Sequence, residues 1–448
     1  MSEVDSTPKP TLRIIDAIVL IIGIVVGAGI FRTPSVVALN TPNEIWFLTV
    51  WVLGGVISLV GALCYAELSS TFPNAGGDYH FFKIAFGNKI SFLFAWSRIT
   101  VTQTGSIAIL AYIAGDYLTQ LFYLGEYSST WYSLTIIILL TLFNILGIQF
   151  GTGIQKLLIA LQFIGILTIV LASFLVEPSI NSKVNSNFNE VGFSNTSTIS
   201  LALIFVLLTF GGWNEAAYLS SELRKGSKKI TFALIVSILI ITFIYLLMNI
   251  SFLKVLGLEG LAASDAVGVD MMSATLGDRG VVLIGALVVL SAITSLNSTI
   301  FTGARTNYAL GKDFVLLSFL GKWNEDKSAP INSLILQSII AIALVVFGAF
   351  TRNGFESMVD FTAPVFWFFF LLTGISLFVL RKKKPNVKRP FKVPFYPITP
   401  ILFIAFCSYM LYSSLSYTGV GSLVGVAVLL TGWLFAMIFR KKESKKNK

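Results

Sequence analysis

Gly23-Ile24-Val25-Val26-Gly27-Ala28-Gly29-Ile30-Phe31, followed by Pro34, lies in the middle of an apolar run long enough to cross a bilayer. Glycine at positions 23, 27 and 29 makes the centre of that run a poor helix by intrinsic propensity. Thr209-Phe210-Gly211-Gly212-Trp213-Asn214 carries the same fault in a later apolar run. Irregular backbone at membrane depth leaves amide and carbonyl groups that lipid cannot satisfy, so it survives only when buried in protein or facing a watery cavity. Glycine-interrupted segments at corresponding positions of two halves point to a site built between inverted repeats.

Working outward, the chain has 448 residues, of which 55% are hydrophobic and 12% charged. Its mean hydropathy is +0.82. A soluble protein carries about 25% charged residues, so a large water-soluble catalytic or binding domain is excluded. At ~20 apolar residues per span the composition fills roughly a dozen spans. The apolar runs place them at 13–38, 45–70, 91–122, 131–149, 155–176, 199–223, 230–253, 280–310, 331–351, 357–380, 395–416 and 419–440. Runs this long mean helices rather than barrel strands. The breaks fall in spans 1 and 6, five spans apart. The expected fold is therefore an all-α integral membrane protein of twelve transmembrane helices, with an inverted repeat of five plus five.

The corresponding divisions are an N-terminal tail (1–12), a first five-helix repeat (13–176), an external loop (177–198) and a second repeat (199–380). A basic cytosolic loop (381–394), helices 11 and 12 (395–440) and a C-terminal tail (441–448) complete the chain. A second long external loop, about 254–279, carries Glu259, Asp265, Asp270 and Asp278. Thirty-two Lys and Arg against 22 Asp and Glu give a net charge of +10. In a membrane chain such an excess is an orientation signal rather than a nucleic-acid footprint. Outside the spans, only Lys183, Lys254, Arg279 and Arg352 fall on the less basic side, which sets both termini in the cytoplasm. The first dozen residues include Glu3, Asp5 and two prolines, and read as a cytosolic tail rather than a signal peptide. With one histidine, His80, and two cysteines, Cys64 and Cys407, in apolar runs, no metal, cofactor or disulfide framework is expected.

The chemistry of the breaks follows from half-helix ends. N-terminal ends present free N–H groups and partial positive charge to an anion, and C-terminal ends present carbonyls to a cation. A zwitterion fits both. The carboxylate of an amino acid would sit on the amides of Ala28, Gly29 and Ile30. Its ammonium would meet carbonyls near Val25, Val26 and Phe210, beside Gly211 and Gly212. A structural alternative is close helix packing through the glycines alone.

Span 2 and its exit read Gly61-Ala62-Leu63-Cys64-Tyr65-Ala66-Glu67-Leu68, then Phe72-Pro73-Asn74-Ala75-Gly76-Gly77-Asp78-Tyr79, then Ala85-Phe86-Gly87. With the two breaks, Glu222 and the Gly303 to Asp313 segment, this resembles the amino acid, polyamine and organocation transporter superfamily. It is most similar to the L-type amino acid transporter branch and its bacterial relatives. The resemblance covers spans 1 to 8. It implies a leucine-transporter-like fold, alternating access, and a substrate held by its α-amino and α-carboxyl groups at the breaks. Many members carry a coupling lysine in span 5, seven residues after a glutamine. Counting from Gln155 reaches Gln162, which cannot carry that charge, and Lys156 at the start of the span reads as an anchor. The resemblance also implies a sodium-like site in span 8, where Ser295, Asn297 and Ser298 stand. Animal L-type members bind a partner through a cysteine between spans 3 and 4. Leu124 to Trp131 has none, so no disulfide-linked partner subunit is expected.

Glu215 is an ionisable group at membrane depth and so a functional candidate: proton acceptor, partner of a basic substrate, or structural anchor. Arg98, in span 3, is placed to pair with Glu67 or Glu222, both read as gate or anchor residues. Phe210 is the aromatic expected to close over a substrate side chain. These features favour a secondary transporter of neutral L-amino acids, working by proton-linked symport or by exchange. The alternatives are a carrier of cationic amino acids or polyamines, and a non-transporting amino acid sensor. Neither a paired catalytic constellation nor a Walker phosphate loop is visible, so an enzyme and direct ATP drive are not expected. The missing partner cysteine and short tails point to a bacterial inner membrane.

Overall fold

The computed structural model describes residues 14–74, 76–146, 152–174, 196–215, 217, 228–314, 317–327, 329–350, 354–416 and 420–446. Glu222, residues 177–195 of the predicted external loop and the N-terminal tail lie outside them, while 196–198 begin a helix. The described elements are helical, apart from a single bridge between Asn324 and Ala329.

Helix α1 (Ile14–Val25) stops at the glycine-rich segment, a 3-10 turn spans Ala28–Phe31, and α2 covers Thr33–Leu39. The axis bends by 55° between the two parts. Pro34 falls in the first turn of α2, where its missing N–H costs nothing. Helix α3 (Glu44–Thr71) is capped by Asn43, whose side chain accepts from Trp46 N at 2.9 Å. Two short helices, α4 (Gly77–Phe86) and α5 (Asn88–Ser97), precede a π turn at Arg98–Thr102 that runs on into α6 (Gln103–Leu121). Then come α7 (Ser128–Ile145), α8 (Thr152–Ser173) and α9 (Thr196–Thr209), which ends at the second glycine pair before a 3-10 turn at Trp213–Glu215. The remaining helices are α10 (Lys228–Ala262), α11 (Val267–Asp313), α12 (Ile331–Ala349), α13 (Gly354–Lys383), α14 (Ile398–Ser416) and α15 (Val420–Lys446).

Among the described residues, seven helices are long and apolar enough to cross a membrane, and eight if the bent α1–α2 pair counts as one span. The stretch expected as an external loop near 254–279 is instead largely helical. α10 continues to Ala262 through a break at Gly257, and α11 begins at Val267 with a break at Gly277. Both glycines have positive φ, 67° and 62°, which lets each helix turn sharply and resume.

The outer surface is apolar on helix after helix: Val52, Leu139, Leu171, Phe243, Ile339 and Leu430 are all exposed. Such a surface is stable only against lipid. Inside, lipid gives helices no hydrophobic reason to associate, so close approach through small residues holds them. Helix α3 supplies that contact on three sides. A Cβ added at Gly54 would lie 2.5 Å from Val206 of α9, at Gly55 2.4 Å from Thr242 of α10, and at Gly61 2.7 Å from Phe403 of α14. At the C-terminal end of α3, Glu67 accepts from Arg381 at 2.8 and 2.5 Å and from Val393 N at 2.7 Å, with Arg389 3.5 Å away. Arg98 therefore does not pair with Glu67, whose carboxylate holds the basic loop after α13.

Candidate functional site

The two breaks meet. A Cβ on Gly212 would stand 2.9 Å from Ile24 Cγ2, and one on Gly29 would stand 3.5 Å from Thr209 Cγ2. Thr209 Oγ1 donates to Thr33 Oγ1 at 2.7 Å, tying the end of α9 to the start of α2. Tyr245 of α10 lies behind both, fully buried, with its hydroxyl 2.8 Å from Val25 O and 2.9 Å from Thr209 O. One hydroxyl proton is thus shared by the last carbonyls of two half-helices, groups that a helix leaves without internal partners. Gln162 of α8 donates its side-chain amide to Val26 O.

Around the breaks is a cavity of about 470 Å³. Of the residues expected from sequence, Val25, Ala28, Gly29, Gln162, Gly211, Gly212, Glu215, Ser295 and Ser298 line it. Val26, Ile30 and Phe210 do not. Ile30 is fully buried, and Val26 reaches the site only through the carbonyl that Gln162 occupies. The Phe210 ring is packed edge-on to Tyr245 at 4.9 Å and tilted against Trp51 at 6.5 Å, behind the break rather than over the cavity. Phe355, Phe366, Phe369 and Phe370 of α13 supply the aromatic wall. Asn297 also leaves the site, since its side chain accepts from Asn144 of α7 at 2.7 Å.

The opposite wall is polar. Thr294, Ser295, Ser298, Thr299 and Thr302 form one face of α11, and Thr102 at the end of the π turn faces them with Gln103 and Ser106 at the start of α6. Thr294, Thr299 and Thr302 donate to carbonyls four residues back, at 2.7 to 2.9 Å. Their lone pairs are left for an incoming donor. The charge in the wall is concentrated at one end. Arg98 donates to Glu215 twice, at 3.2 and 3.3 Å, in the two-pronged geometry that suits guanidinium and carboxylate. Arg98 is delivered by the π turn, a device that recurs where a helix re-aims a functional side chain. Nearby, Asp78 of α4 accepts from Thr373 Oγ1 at 3.5 Å. Among the described residues, no group of three or more His, Cys, Asp or Glu is arranged to hold a metal ion.

The sequence model of the amino acid permease family matches residues 12–439. The chain belongs to this family. It is 30% identical to the rat b(0,+)-type amino acid transporter 1, with 96% of this chain and 89% of the rat protein covered. It is also 30% identical to the mouse large neutral amino acids transporter small subunit 2, over 95% of this chain and 80% of the mouse protein. As in those relatives, transport of amino acids across a membrane, and not enzymatic catalysis, is the family's business. In this permease, sequence reasoning missed Tyr245 and the pocket-facing position of Asp78. Tyr245 carried no signal, because a tyrosine in an apolar span looks like packing. Asp78 stood in plain view in the Gly76-Gly77-Asp78-Tyr79 turn, but a polar turn after a span reads as a surface loop.

Proposed function

We propose that the permease is a secondary transporter of neutral L-amino acids that works by alternating access, with the substrate bound at the junction of the two breaks. The observation that carries this reading is the meeting of two interrupted helices in one cavity. Its volume, about 470 Å³, suits a single amino acid. The substrate carboxylate takes the amides of Ala28, Gly29 and Ile30 at the start of the 3-10 turn. Its ammonium takes carbonyl lone pairs at the ends of α1 and α9, first near Val25, which lines the cavity, and near Val26 and Phe210 only once Gln162 and the local packing give way, with Gly211 and Gly212 giving the clearance. Its side chain lies between the phenylalanines of α13 and the hydroxyl face of α11.

The Arg98–Glu215 pair supports a neutral substrate over a cationic amino acid or polyamine, because the Glu215 carboxylate is already neutralised and burial pushes the wall's other acid, Asp78, towards its neutral form. Glu215 is accordingly the structural anchor of the half-helix. Gln162, bonded to Val26 O, reports on the state of the first break without carrying charge. Ser295 and Ser298 line the α11 side of the same junction and act as gating groups.

The architecture in this reading is twelve spans in an inverted five-plus-five repeat, 13–176 and 199–380, with 395–440 outside it. Supporting it are the equivalent places of the two breaks in their runs and the bend of 55° at the first. The basic residues favour both termini in the cytoplasm. Both cysteines are buried, so no disulfide-linked partner subunit is proposed. The lack of a cysteine between α6 and α7 favours a bacterial plasma membrane. Uptake of labelled leucine or alanine into proteoliposomes tests the function. Accumulation under an inward proton gradient means symport, and stimulation only by internal amino acid means exchange. No uptake in either condition overturns the neutral substrate class.

A further inference from the structure

Asp78 is the second acid of the cavity wall and, at 3% exposure, the more deeply buried. Helix α4, which carries it, lies between the second and third predicted spans and outside both. Two hydroxyls close around its carboxyl group: Thr373 of α13, and Tyr65 of α3, whose own hydroxyl is 3.4 Å from Thr373 Oγ1. No cation stands within ion-pairing distance of Asp78 among the described residues. With Arg98 and Glu215 neutralising each other, the net formal charge of the cavity wall is that of Asp78 alone.

The other ionisable groups around it have separate engagements. From its own helix, Tyr79 donates to Asp313 at 2.8 Å and Lys83 pairs with Asp313 at 3.5 Å. His80 is half-buried, with its pKa lowered by burial and by Lys83. Lys89 of α5 is exposed, and Lys383 at the end of α13 donates to Ala85 O. The groups that bear on Asp78 are therefore Tyr65, Arg98, Glu215 and Thr373. Burial pushes its carboxyl up to about 7, opposed by the Tyr65 hydrogen bond, reinforced by the Glu215 charge, and opposed by Arg98 and Thr373.

We propose that Asp78 is the proton-binding site of the cavity, and that the permease closes over its substrate with Asp78 protonated. This rests on the amino acid substrate proposed above. A zwitterion brings no net charge to cancel that of Asp78. Closure strips water from the cavity, which raises the cost of an uncompensated carboxylate. A proton removes that cost, so substrate and proton bind with mutual preference, by the same factor in either order. Tyr65 extends the link to the second break, because its ring meets Trp213 edge-on at 5.1 Å.

The test is leucine binding to the purified full-length protein across pH, with calorimetry in two buffers of different ionisation enthalpy to count protons. Expected is uptake peaking at about half a proton per leucine at a pH a little above 7, and affinity about tenfold tighter at about pH 5.5 than at about pH 8.5. Asp78→Asn abolishes both the proton uptake and the pH dependence. Because that variant perturbs a buried cluster, two others guard the result. Tyr65→Phe removes a hydrogen bond to the ionised form and moves the midpoint up, whereas Glu215→Gln removes a repelling charge and moves it down. Midpoints that stay in place, or proton uptake that survives Asp78→Asn, overturn the proposal. Leucine binding that does not vary with pH overturns it alone, while no leucine binding at any pH overturns the substrate reading and this proposal with it.

Discussion

Gly212 is the residue at which backbone and packing agree most strictly. Its φ of 109° is one that side-chain-bearing residues avoid, and a Cβ there would meet Ile24 of the facing half-helix at 2.9 Å. Gly212→Ala is expected to cost about 1–2 kcal/mol from the backbone alone, and to remove amino acid uptake while the protein still reaches the membrane. Uptake per unit of membrane-inserted protein is the measurement, and unchanged uptake would show that the breaks need not touch. Glu215 gives a second prediction at this scale. Glu215→Gln takes away the carboxylate that receives both prongs of a buried guanidinium, and should lower stability by about 1–3 kcal/mol. Replacing the pair together, Arg98→Met with Glu215→Leu, should return most of the loss, because both desolvation costs vanish. Thermal unfolding in detergent compares the variants.

At the scale of the element, the half-helices depend on a neighbour. α1 and α9 each end in carbonyls that need a donor, and Tyr245 serves one from each. Tyr245→Phe keeps the ring contacts with Trp51 and Phe210 and deletes only the hydroxyl. It should cost about 1 kcal/mol in unfolding stability yet reduce the stabilisation that added amino acid confers, which thermal shifts with and without leucine would separate. The breaks themselves were legible in the sequence, because glycine pairs inside apolar runs contradict the helix around them. What fills the gap between breaks was not legible. The ring of Phe210 lies beside the break in sequence, but the direction of its side chain depends on how the chain leaves α9, and the packing with Trp51 and Tyr245 turns it inward. The loop expected near 254–279 was misjudged for a related reason. Three of its four acids, Glu259, Asp270 and Asp278, lie on helices, and charge alone does not separate a solvated helix from a loop.

At the scale of the whole molecule, Glu67 joins the C-terminal end of α3 to the basic segment that follows α13, through Arg381, Arg389 and the Val393 amide. Glu67→Gln should free that segment and hasten tryptic cleavage between Arg381 and Lys392 in membrane vesicles; a cleavage rate equal to that of the parent protein would place the anchor elsewhere. The charges of this segment were legible as an orientation signal, but their shared buried acceptor was not, since 314 positions separate Glu67 from Arg381. The size of the cavity carries a different consequence. At about 30 Å³ per molecule in the liquid, its 470 Å³ corresponds to on the order of fifteen waters. A cycle that closes around one amino acid must therefore expel or carry part of that hydration at every turn. Sugars too large to enter should then favour the closed form, and uptake should respond to osmotic pressure as well as to gradients of solute.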